Sequence, residues 1–304
     1  MWARFIKQSN IIYENKGSEM PNNILSAVSS IVSFANNDLK SYAAKYLIRI
    51  NAVGEQLEYF IRDAIADSFE LPHKKKDEHY SKVFSYLGNQ NNPPDMVIRD
   101  GDAFEIKKIE NINSSLALNS SPPKDKLLAT DIRILAACKN CESKPWAEKD
   151  LFYVIGTAKG GSVSCLFFIQ GTCYAASHEV YDRIHSPLKR EVDQVLDNLG
   201  LEKGETVELG KVRKVDPLGI TELRVRGMWQ IKNPLKVYKD VCKVESGKFY
   251  LFVLMRKDKY NFQPKEDIAK LESNKGVSVK DIQIKDPNNP AKLVEAKLVY
   301  YEQK

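Results

Sequence analysis

Among the charged residues of the segment 93–110, PPDMVIRDGDAFEIKKIE, two carboxylates and one amine are spaced so that they could meet: Asp95, Glu105 and Lys107. Asp95 precedes a short apolar run, an Asp-Gly turn signal follows, and Glu105 and Lys107 lie on the segment after the turn. Side chains of a β-strand alternate between its two faces, so Glu105 and Lys107 share a face. A hairpin that turns at residues 99–102 would place Asp95 beside that pair.

Two carboxylates at one point repel each other unless a cation lies between them. Oxygen ligands favour a hard cation such as Mg²⁺, for which Mn²⁺ can substitute. Such a cation activates water and stabilises charge on a phosphoryl oxygen, and an adjacent lysine adds to that stabilisation. Asp95, Glu105 and Lys107 are therefore predicted to serve hydrolysis of a phosphodiester.

The alternative is a surface hairpin whose charges are incidental, because acidic and basic residues are common on exposed strands. Four apolar residues surround the charges and favour a hairpin buried on at least one side: Val97, Ile98, Phe104 and Ile106. Pro94 also restricts the backbone just before Asp95. Both features favour the catalytic interpretation.

The elements that would position this hairpin form a mixed pattern. Helical periodicity is found at residues 22–35, 39–46, 53–69, 177–199 (broken or kinked near Pro187) and 265–272. Strand-like runs are found at 81–88, 151–157, 163–170, 206–212, 223–225 and 248–255. Residues 73–79 and 113–127 are predicted to be a solvated turn and a loop. This order predicts an α/β (mixed α+β) fold with a central mixed sheet flanked by helices.

The residues Pro94-Asp95 and Glu105-Ile106-Lys107 resemble the motif of the PD-(D/E)xK nuclease superfamily. The resemblance implies a restriction-endonuclease-like core, in αβββαβ order, with an Mg²⁺-dependent phosphodiesterase centre. It implies metal binding by Asp95, Glu105 and the carbonyl of Ile106. It also implies water activation or charge stabilisation by Lys107.

A glutamate on the preceding helix is a second feature of that superfamily. The helix contains NAVGEQLEYFIRDAIADSF, where Glu55 and Glu58 are three residues apart and lie on nearly one face. A glycine four residues before the acid is the usual setting in the superfamily, which points to Glu58, with Glu55 as the second choice. An ordinary solvated helix face is the alternative.

The runs NAVGEQLEYFIRD, PPDMVIRDGDAFEIKKIE and LALNSSPPKDKL together resemble type II restriction endonucleases, most of all the NgoPII-like group, which cleaves duplex DNA at GGCC. The likeness spans about residues 22–175 and is thin beyond them. It implies cleavage of double-stranded DNA at a short palindromic site, in a restriction-modification system with a cognate DNA methyltransferase. A palindrome calls for a two-fold homodimer.

Two other functions stay open. The fold also suits a structure-selective or repair nuclease, which would cut branched DNA rather than linear plasmid. A non-catalytic DNA-binding protein is the third possibility, although a degenerate nuclease usually loses one acid or the lysine.

Candidates for DNA contact carry amide, hydroxyl, amine or guanidinium donors. They lie in a proline-stiffened loop and in a basic segment: Asn119, Ser120, Ser121, Lys124, Arg224, Arg226 and Lys232. Arg224 and Arg226 share one strand face, and arginine pairs bidentately with guanine in the major groove. The alternatives are an ordinary surface linker and a basic strand edge that guards against aggregation.

The composition sets broad limits. The 304 residues carry a formal net charge of +6, which suits a polyanion binder without proving one. The predicted divisions are an N-terminal arm (1–20), a catalytic core (21–200) and a C-terminal DNA-recognition part (201–304), unless the last two form one continuous domain.

The sequence also predicts a cytoplasmic protein that does not contact a membrane. No apolar run approaches the roughly 20 residues that span a bilayer, and the first residues lack the apolar core of a signal peptide. The five cysteines include one CxxC pair, Cys138 and Cys141. That is a weak zinc signal on its own, and reduced thiols are the favoured interpretation.

Overall fold

The structure is a computed structural model that describes residues 22–34, 53–89, 92–160 and 162–303. The predicted N-terminal arm and the predicted helix at 39–46 lie outside these residues. Within them the α-helices are α1 (Ile24–Ser33), α2 (Val53–Ala66), α3 (His73–Val83), α4 (Ala136–Lys139), α5 (His178–Asn198), α6 (Pro234–Val237), α7 (Lys257–Asn261) and α8 (Lys265–Ser273).

The strands occupy both halves of the chain. They are β1 (Phe84–Asn89), β2 (Asn92–Ile98), β3 (Ala103–Ile109), β4 (Leu116–Asn119), β5 (Lys126–Leu128), β6 (Glu148–Lys159), β7 (Ser162–Gln170), β8 (Gly210–Val212), β9 (Leu223–Val225), β10 (Trp229–Ile231), β11 (Phe249–Arg256), β12 (Val277–Lys285) and β13 (Leu293–Gln303).

One large mixed sheet organises the described part of the chain. Its strands follow the order β1-β2-β3-β6-β7-β11-β13-β12, with β5 paired to β6 at the side. The β3–β6 and β7–β11 pairs are parallel and the other pairs are antiparallel. Two small ribbons, β4–β10 and β8–β9, stand apart from this sheet.

Hydrophobic cores cover both faces of the sheet because apolar residues point alternately to each side. On β6, Phe152 and Val154 belong to the cluster that includes α1 and α2, whereas Tyr153 and Ile155 belong to the opposite cluster. The predicted central mixed sheet with flanking helices is therefore confirmed.

The C-terminal strands are part of this same sheet. β11 pairs with β7, and β13 and β12 follow it, so the sheet crosses the predicted division at residue 200. The sequence pattern identified β11 but missed β12 and β13. β11 is a continuous apolar run, whereas charged residues interrupt the apolar residues of β12 and β13, and β12 is an edge strand with one buried residue.

Three other local predictions were wrong. Residues 73–79 are the first turns of α3 and not a solvated turn, and this helix continues into the segment predicted to begin a strand at residue 81. The predicted loop at 113–127 contains β4 and the start of β5. α5 runs through Pro187 without a break.

Among the described residues, no helix combines the length and apolar character needed to cross a bilayer.

Candidate active site

The β2–β3 hairpin brings the predicted catalytic residues together. Its pairs are Met96 with Phe104 and Val97 with Ala103, around a turn in which Asp100 adopts a left-handed φ of 54°. Asp95 and Glu105 are the next residues outward from the Met96–Phe104 pair. The predicted hairpin, with Asp95 beside Glu105, is confirmed.

Beyond the Met96–Phe104 pair, the backbones of β2 and β3 no longer pair. The side chain of Asp95 bonds β3 instead. Its Oδ2 accepts a hydrogen bond from the backbone N–H of Ile106 at 2.5 Å. On the same face of β3, Nζ of Lys107 lies 2.6 Å from Oε1 of Glu105. Both side chains are mostly buried, with exposed fractions of 25% and 13% for Lys107 and Glu105.

A glycine on β1 allows the backbone beside Asp95 to approach closely. A Cβ atom at Gly88 would lie 2.3 Å from the carbonyl oxygen of Pro94 and 3.2 Å from the Cα atom of Asp95. Any larger residue would push β2 away from β1. Gly88 therefore helps to fix where the Asp95 carboxylate lies.

A second close approach brings α2 to the sheet. A Cβ atom at Gly156 on β6 would lie 2.5 Å from the side chain of Leu57, which is fully buried. Gly156 pairs with Lys108, the neighbour of Lys107, so α2 crosses the sheet next to the hairpin. This packing carries Glu58, the residue after Leu57, towards the carboxylates.

The pKa shifts show that these groups form one electrostatic cluster. Burial and then the nearby Glu105 carboxylate raise the pKa of Asp95 well above its usual value, and Glu58 adds to the rise. Burial raises the pKa of Glu58, and Arg62 and Lys107 partly counter it. The charge of Glu58 on α2 is therefore coupled to the charges of this cluster.

Lys107 is held in its charged form. Burial alone would lower the pKa of its amine, but Glu105 and Asp95 more than offset this, and the pKa is raised. A lysine that keeps its proton at neutral pH is a source of positive charge and a hydrogen-bond donor.

One oxygen of the cluster has no partner. Oε2 of Glu105 is buried and, among the residues that the structure describes, nothing hydrogen-bonds to it. The hydroxyl of Ser121 is in the same condition, and both residues line one small cleft with Tyr153 and Pro93. A buried acceptor left unbonded is costly unless a ligand completes it.

This donor set fits a hard divalent cation. Asp95 and Glu105 supply carboxylate oxygens, and Glu105 has an oxygen to spare. The N–H of Ile106 points to Asp95, and because a strand residue turns its N–H and C=O to the same side, the Ile106 carbonyl faces that side too. The protein alone offers few ligands, as Mg²⁺ sites commonly do.

A dense cluster of metal-binding side chains is not found. Within the described ranges, no three His, Cys, Asp or Glu side chains are placed to hold one ion. Cys138 and Cys141 are both free thiols, and burial raises the pKa of Cys138 to about 12. These observations do not support a zinc site at the CxxC pair.

The β4–β10 ribbon joins two of the segments predicted to contact DNA. Asn119, at the end of β4, pairs with Trp229 of β10 and adopts a left-handed φ of 52°. Ser120 and Ser121 follow Asn119 towards the cleft, and the exposed Lys232 follows β10. The loop and the basic segment, more than 100 residues apart in sequence, thus lie side by side.

Lys124 is the exception among the predicted DNA contacts. Its side chain is buried and forms an ion pair with Asp131, while its backbone N–H donates to Oη of Tyr153 at 2.8 Å. A buried, paired ammonium is not placed to meet a phosphate. Lys124 is better explained as a structural residue that fixes the wall of the cleft.

Arg224 and Arg226 both bind Glu208, a residue that the sequence analysis missed. Arg224 donates from Nε and Nη2 to the two oxygens of Glu208 at 3.0 and 2.9 Å, and Nε of Arg226 lies 2.7 Å from Oε1. Glu208 is buried, whereas the arginines are about half exposed. The only sequence signal was one acid just before the basic run of β8.

The chain is similar to known restriction endonucleases over most of its length. Residues 22–285 match the NgoPII restriction endonuclease family. The chain is 39% identical over 282 residues to the type II restriction enzyme NgoPII of Neisseria gonorrhoeae, which covers 91% of this chain and 99% of that protein. The likeness therefore extends well past residue 175, where the sequence motifs had suggested it thins out.

No solved structure matches the chain. The family match and the identity both extend over most of the sequence and include the β2–β3 hairpin. The chain belongs to the NgoPII restriction endonuclease family, and it is a type II restriction enzyme, a site-specific deoxyribonuclease.

Proposed function

We propose that this enzyme hydrolyses double-stranded DNA at a short palindromic site with Mg²⁺ held by Asp95, Glu105 and the carbonyl of Ile106. The observation that carries the proposal is the buried, unbonded Oε2 of Glu105 beside a second carboxylate of raised pKa. A divalent cation would neutralise both and would supply an activated water and charge stabilisation at the phosphoryl group. The centre is then of the PD-(D/E)xK type.

Lys107 would stabilise the transition state. Its pKa is raised, so it carries a positive charge at neutral pH beside Glu105. An ammonium aimed at developing phosphoryl charge lowers the barrier because the site is partly desolvated and the donor is already in place. Glu58, which acts on the pKa of Asp95 and Lys107, would hold the water or tune the carboxylates from α2.

The cleft wall and the two ribbons would form the DNA surface. Asn119 ends β4, Ser120 follows it, and Ser121 lines the cleft beside Glu105, so they would contact the DNA backbone near the scissile phosphate. Lys232 would add a phosphate contact from the other side of this ribbon. Arg224 and Arg226 would read base edges.

A guanine-containing palindrome such as GGCC would suit this surface. Arginine is the residue that most often pairs with guanine O6 and N7, and the resemblance to the NgoPII-like group suggests that sequence. A palindromic target is matched by a two-fold homodimer, one active centre for each strand. The enzyme would act in the cytoplasm, where a cognate methyltransferase protects the host DNA.

Cleavage of unmethylated phage DNA tests the proposal. We expect discrete fragments with Mg²⁺ or Mn²⁺, none with EDTA, and none after methylation of the site. Sequencing of the fragment ends identifies the target and the cut position. A smear without discrete ends, or cleavage that persists in EDTA, would contradict the proposal.

A further inference from the structure

The β8–β9 ribbon presents two arginines that share one buried carboxylate. Lys211 pairs with Arg224 across the ribbon, and Arg226 follows directly after β9. Several positive charges are therefore concentrated on a short stretch of backbone, where they repel one another. Glu208 compensates this by bonding both arginines at once.

The way in which Glu208 is bonded leaves the outer ends of the guanidinium groups available. Arg224 uses its side edge, Nε and Nη2, and Arg226 uses Nε. A guanidinium has five N–H donors in a fixed fork, so the Nη ends of both groups still carry donors. The exposed fractions of 51% and 54% agree with outer ends that reach solvent.

Glu208 is itself held on two sides. Its backbone N–H donates to the Thr206 hydroxyl at 3.0 Å, and its carbonyl accepts from Nζ of Lys189 on α5 at 3.1 Å. Its side chain is only 8% exposed. The carboxylate therefore has a fixed position, and the arginines bonded to it are fixed relative to each other.

We propose that Glu208 is a positioning residue that sets Arg224 and Arg226 as one rigid pair for reading guanines in the recognition site. Guanine fits because its O6 and N7 match the outer fork of a guanidinium. Both arginines bond the same oxygen of Glu208, so their outer forks lie side by side and reach guanines that are close neighbours in the site. This inference rests on the proposed role of the two arginines in base reading.

Two arginine side chains that are held in position before DNA binds affect the specificity of the enzyme more than its rate. Free arginine side chains lose rotamer entropy on binding, whether the base is right or wrong, and they can bend to a nearby phosphate instead. A pair fixed by Glu208 cannot adapt to a wrong base without breaking a charge-assisted bond. Loss of Glu208 should therefore relax selectivity while the chemical step stays intact.

The test compares Glu208→Gln with the matched variant Glu222→Gln. Glu222 directly precedes β9 and forms an ion pair with Lys211 at 2.9 Å. It forms no ion pair with Arg224 or Arg226, and only its charge acts on Arg224. The amide of Glu208→Gln turns a donor towards a guanidinium, so one bond of the pair is lost. Selectivity is measured as kcat/KM on the recognition site divided by kcat/KM on sites that differ from it by one base pair. We expect Glu208→Gln to lower this selectivity roughly tenfold, with kcat on the recognition site unchanged. Glu222→Gln should keep the wild-type ratio.

Oligonucleotides with 7-deazaguanine separate base reading from phosphate binding, because this base lacks N7 but pairs normally. Substitution at each guanine of the site should raise KM for the wild-type enzyme roughly tenfold at one or more positions, and less for Glu208→Gln. A wild-type enzyme that ignores every such substitution would show that the arginines contact phosphate and would overturn the inference. An unchanged selectivity ratio in a folded Glu208→Gln variant would also overturn it.

Two further measurements protect this conclusion. If Glu208→Gln does not fold, Glu208→Asp replaces it, since the shorter carboxylate keeps the charge but does not reach both arginines; it should show the same loss of selectivity. A wild-type enzyme that cuts no DNA with any divalent cation would refute the proposed function itself, before the role of Glu208 is tested.

Discussion

The β2–β3 hairpin and the β8–β9 ribbon both combine acidic and basic side chains, but in opposite proportions. In the hairpin, the amine of Lys107 bonds Glu105 and also interacts electrostatically with a second carboxylate, that of Asp95. In the ribbon, two guanidiniums, Arg224 and Arg226, share the single carboxylate of Glu208. The hairpin cluster is left negative and mostly buried, whereas the ribbon cluster is left positive and half exposed.

This difference in charge indicates which ligand would complement each cluster. A buried surplus of negative charge raises the pKa of Asp95 and leaves an oxygen of Glu105 unbonded, and a small divalent cation relieves both. A surface surplus of positive charge is well solvated and needs no ion, but it attracts a polyanion and orients donors towards it. We therefore propose that the first cluster serves the chemistry and the second serves recognition.

The largest expected effect is at the hairpin. Asp95→Asn should lower kcat on the mapped site roughly a thousandfold, because the amide keeps the bond from Ile106 but no longer carries the charge that the cation needs. Single-turnover cleavage with saturating Mg²⁺ measures it.

The matched control is Asp100→Asn in the same hairpin. Asp100 is exposed and its left-handed backbone suits asparagine as well as aspartate. This variant should cleave like the wild type. Comparable losses in both variants would mean that the hairpin is merely fragile and that Asp95 has no special role.

Lys107→Met should lower kcat roughly a hundredfold. The change removes the positive charge from the cluster and leaves it more negative, so the concentration of Mg²⁺ at half-maximal rate should not rise. Lys108→Met is the control, because Lys108 lies on the other face of β3 and pairs with Glu110. A higher Mg²⁺ requirement in Lys107→Met would show that this lysine supports metal binding instead.

How far the sequence predicts the structure can be judged from these two regions. Asp95, Glu105 and Lys107 could be found because they are close in sequence and because β-strand alternation is a strong local rule. The Glu208–Arg224–Arg226 cluster could not, since it depends on a ribbon that brings residues 16 positions apart together through a non-periodic loop. Lys124 was assigned to DNA because its partner Asp131 is revealed only by the fold.

The fold shows the same limit. The buried strands β6 and β7 were predicted from their continuous apolar runs. The edge strand β12 was missed because a strand with one exposed face and many charges resembles a loop in sequence. The close contacts of Gly88 and Gly156 were also not visible, since a glycine in a strand gives no sign of what lies against it.

In the β8–β9 ribbon, Arg224→Ala should lower the selectivity for the recognition site, relative to sites that differ by one base pair, roughly tenfold or more. Lys232→Ala should instead weaken binding to all sequences alike and reduce the slope of log K against log salt by about 1. Fluorescence anisotropy over a range of salt concentrations measures both. If the two variants behaved alike, the β8–β9 ribbon would bind phosphate only. It would then have no role in recognising the sequence.

On α2, Glu58→Gln should lower kcat/KM roughly tenfold, which is the usual range for a residue that tunes metal ligands. Glu55→Gln, one helical turn earlier, should lower it much less. The comparison decides which glutamate joins the centre, and a larger loss in Glu55→Gln would reverse the assignment.

The smallest effect is on stability and has the opposite sign to the effect on activity. The pKa of Asp95 is higher in the folded protein than its usual value near 3.8. The folded protein therefore loses stability as the pH rises from about 3.8 through the folded-state pKa. Asparagine cannot ionise, and without divalent cations Asp95→Asn should be more stable than the wild type at pH 8 by about 1 kcal/mol. The advantage should shrink as the pH falls towards the usual pKa near 3.8, and Mg²⁺ should raise the urea midpoint of the wild type but not of the variant. A variant that is less stable than the wild type at pH 8 would show that the hairpin carries no surplus of buried negative charge.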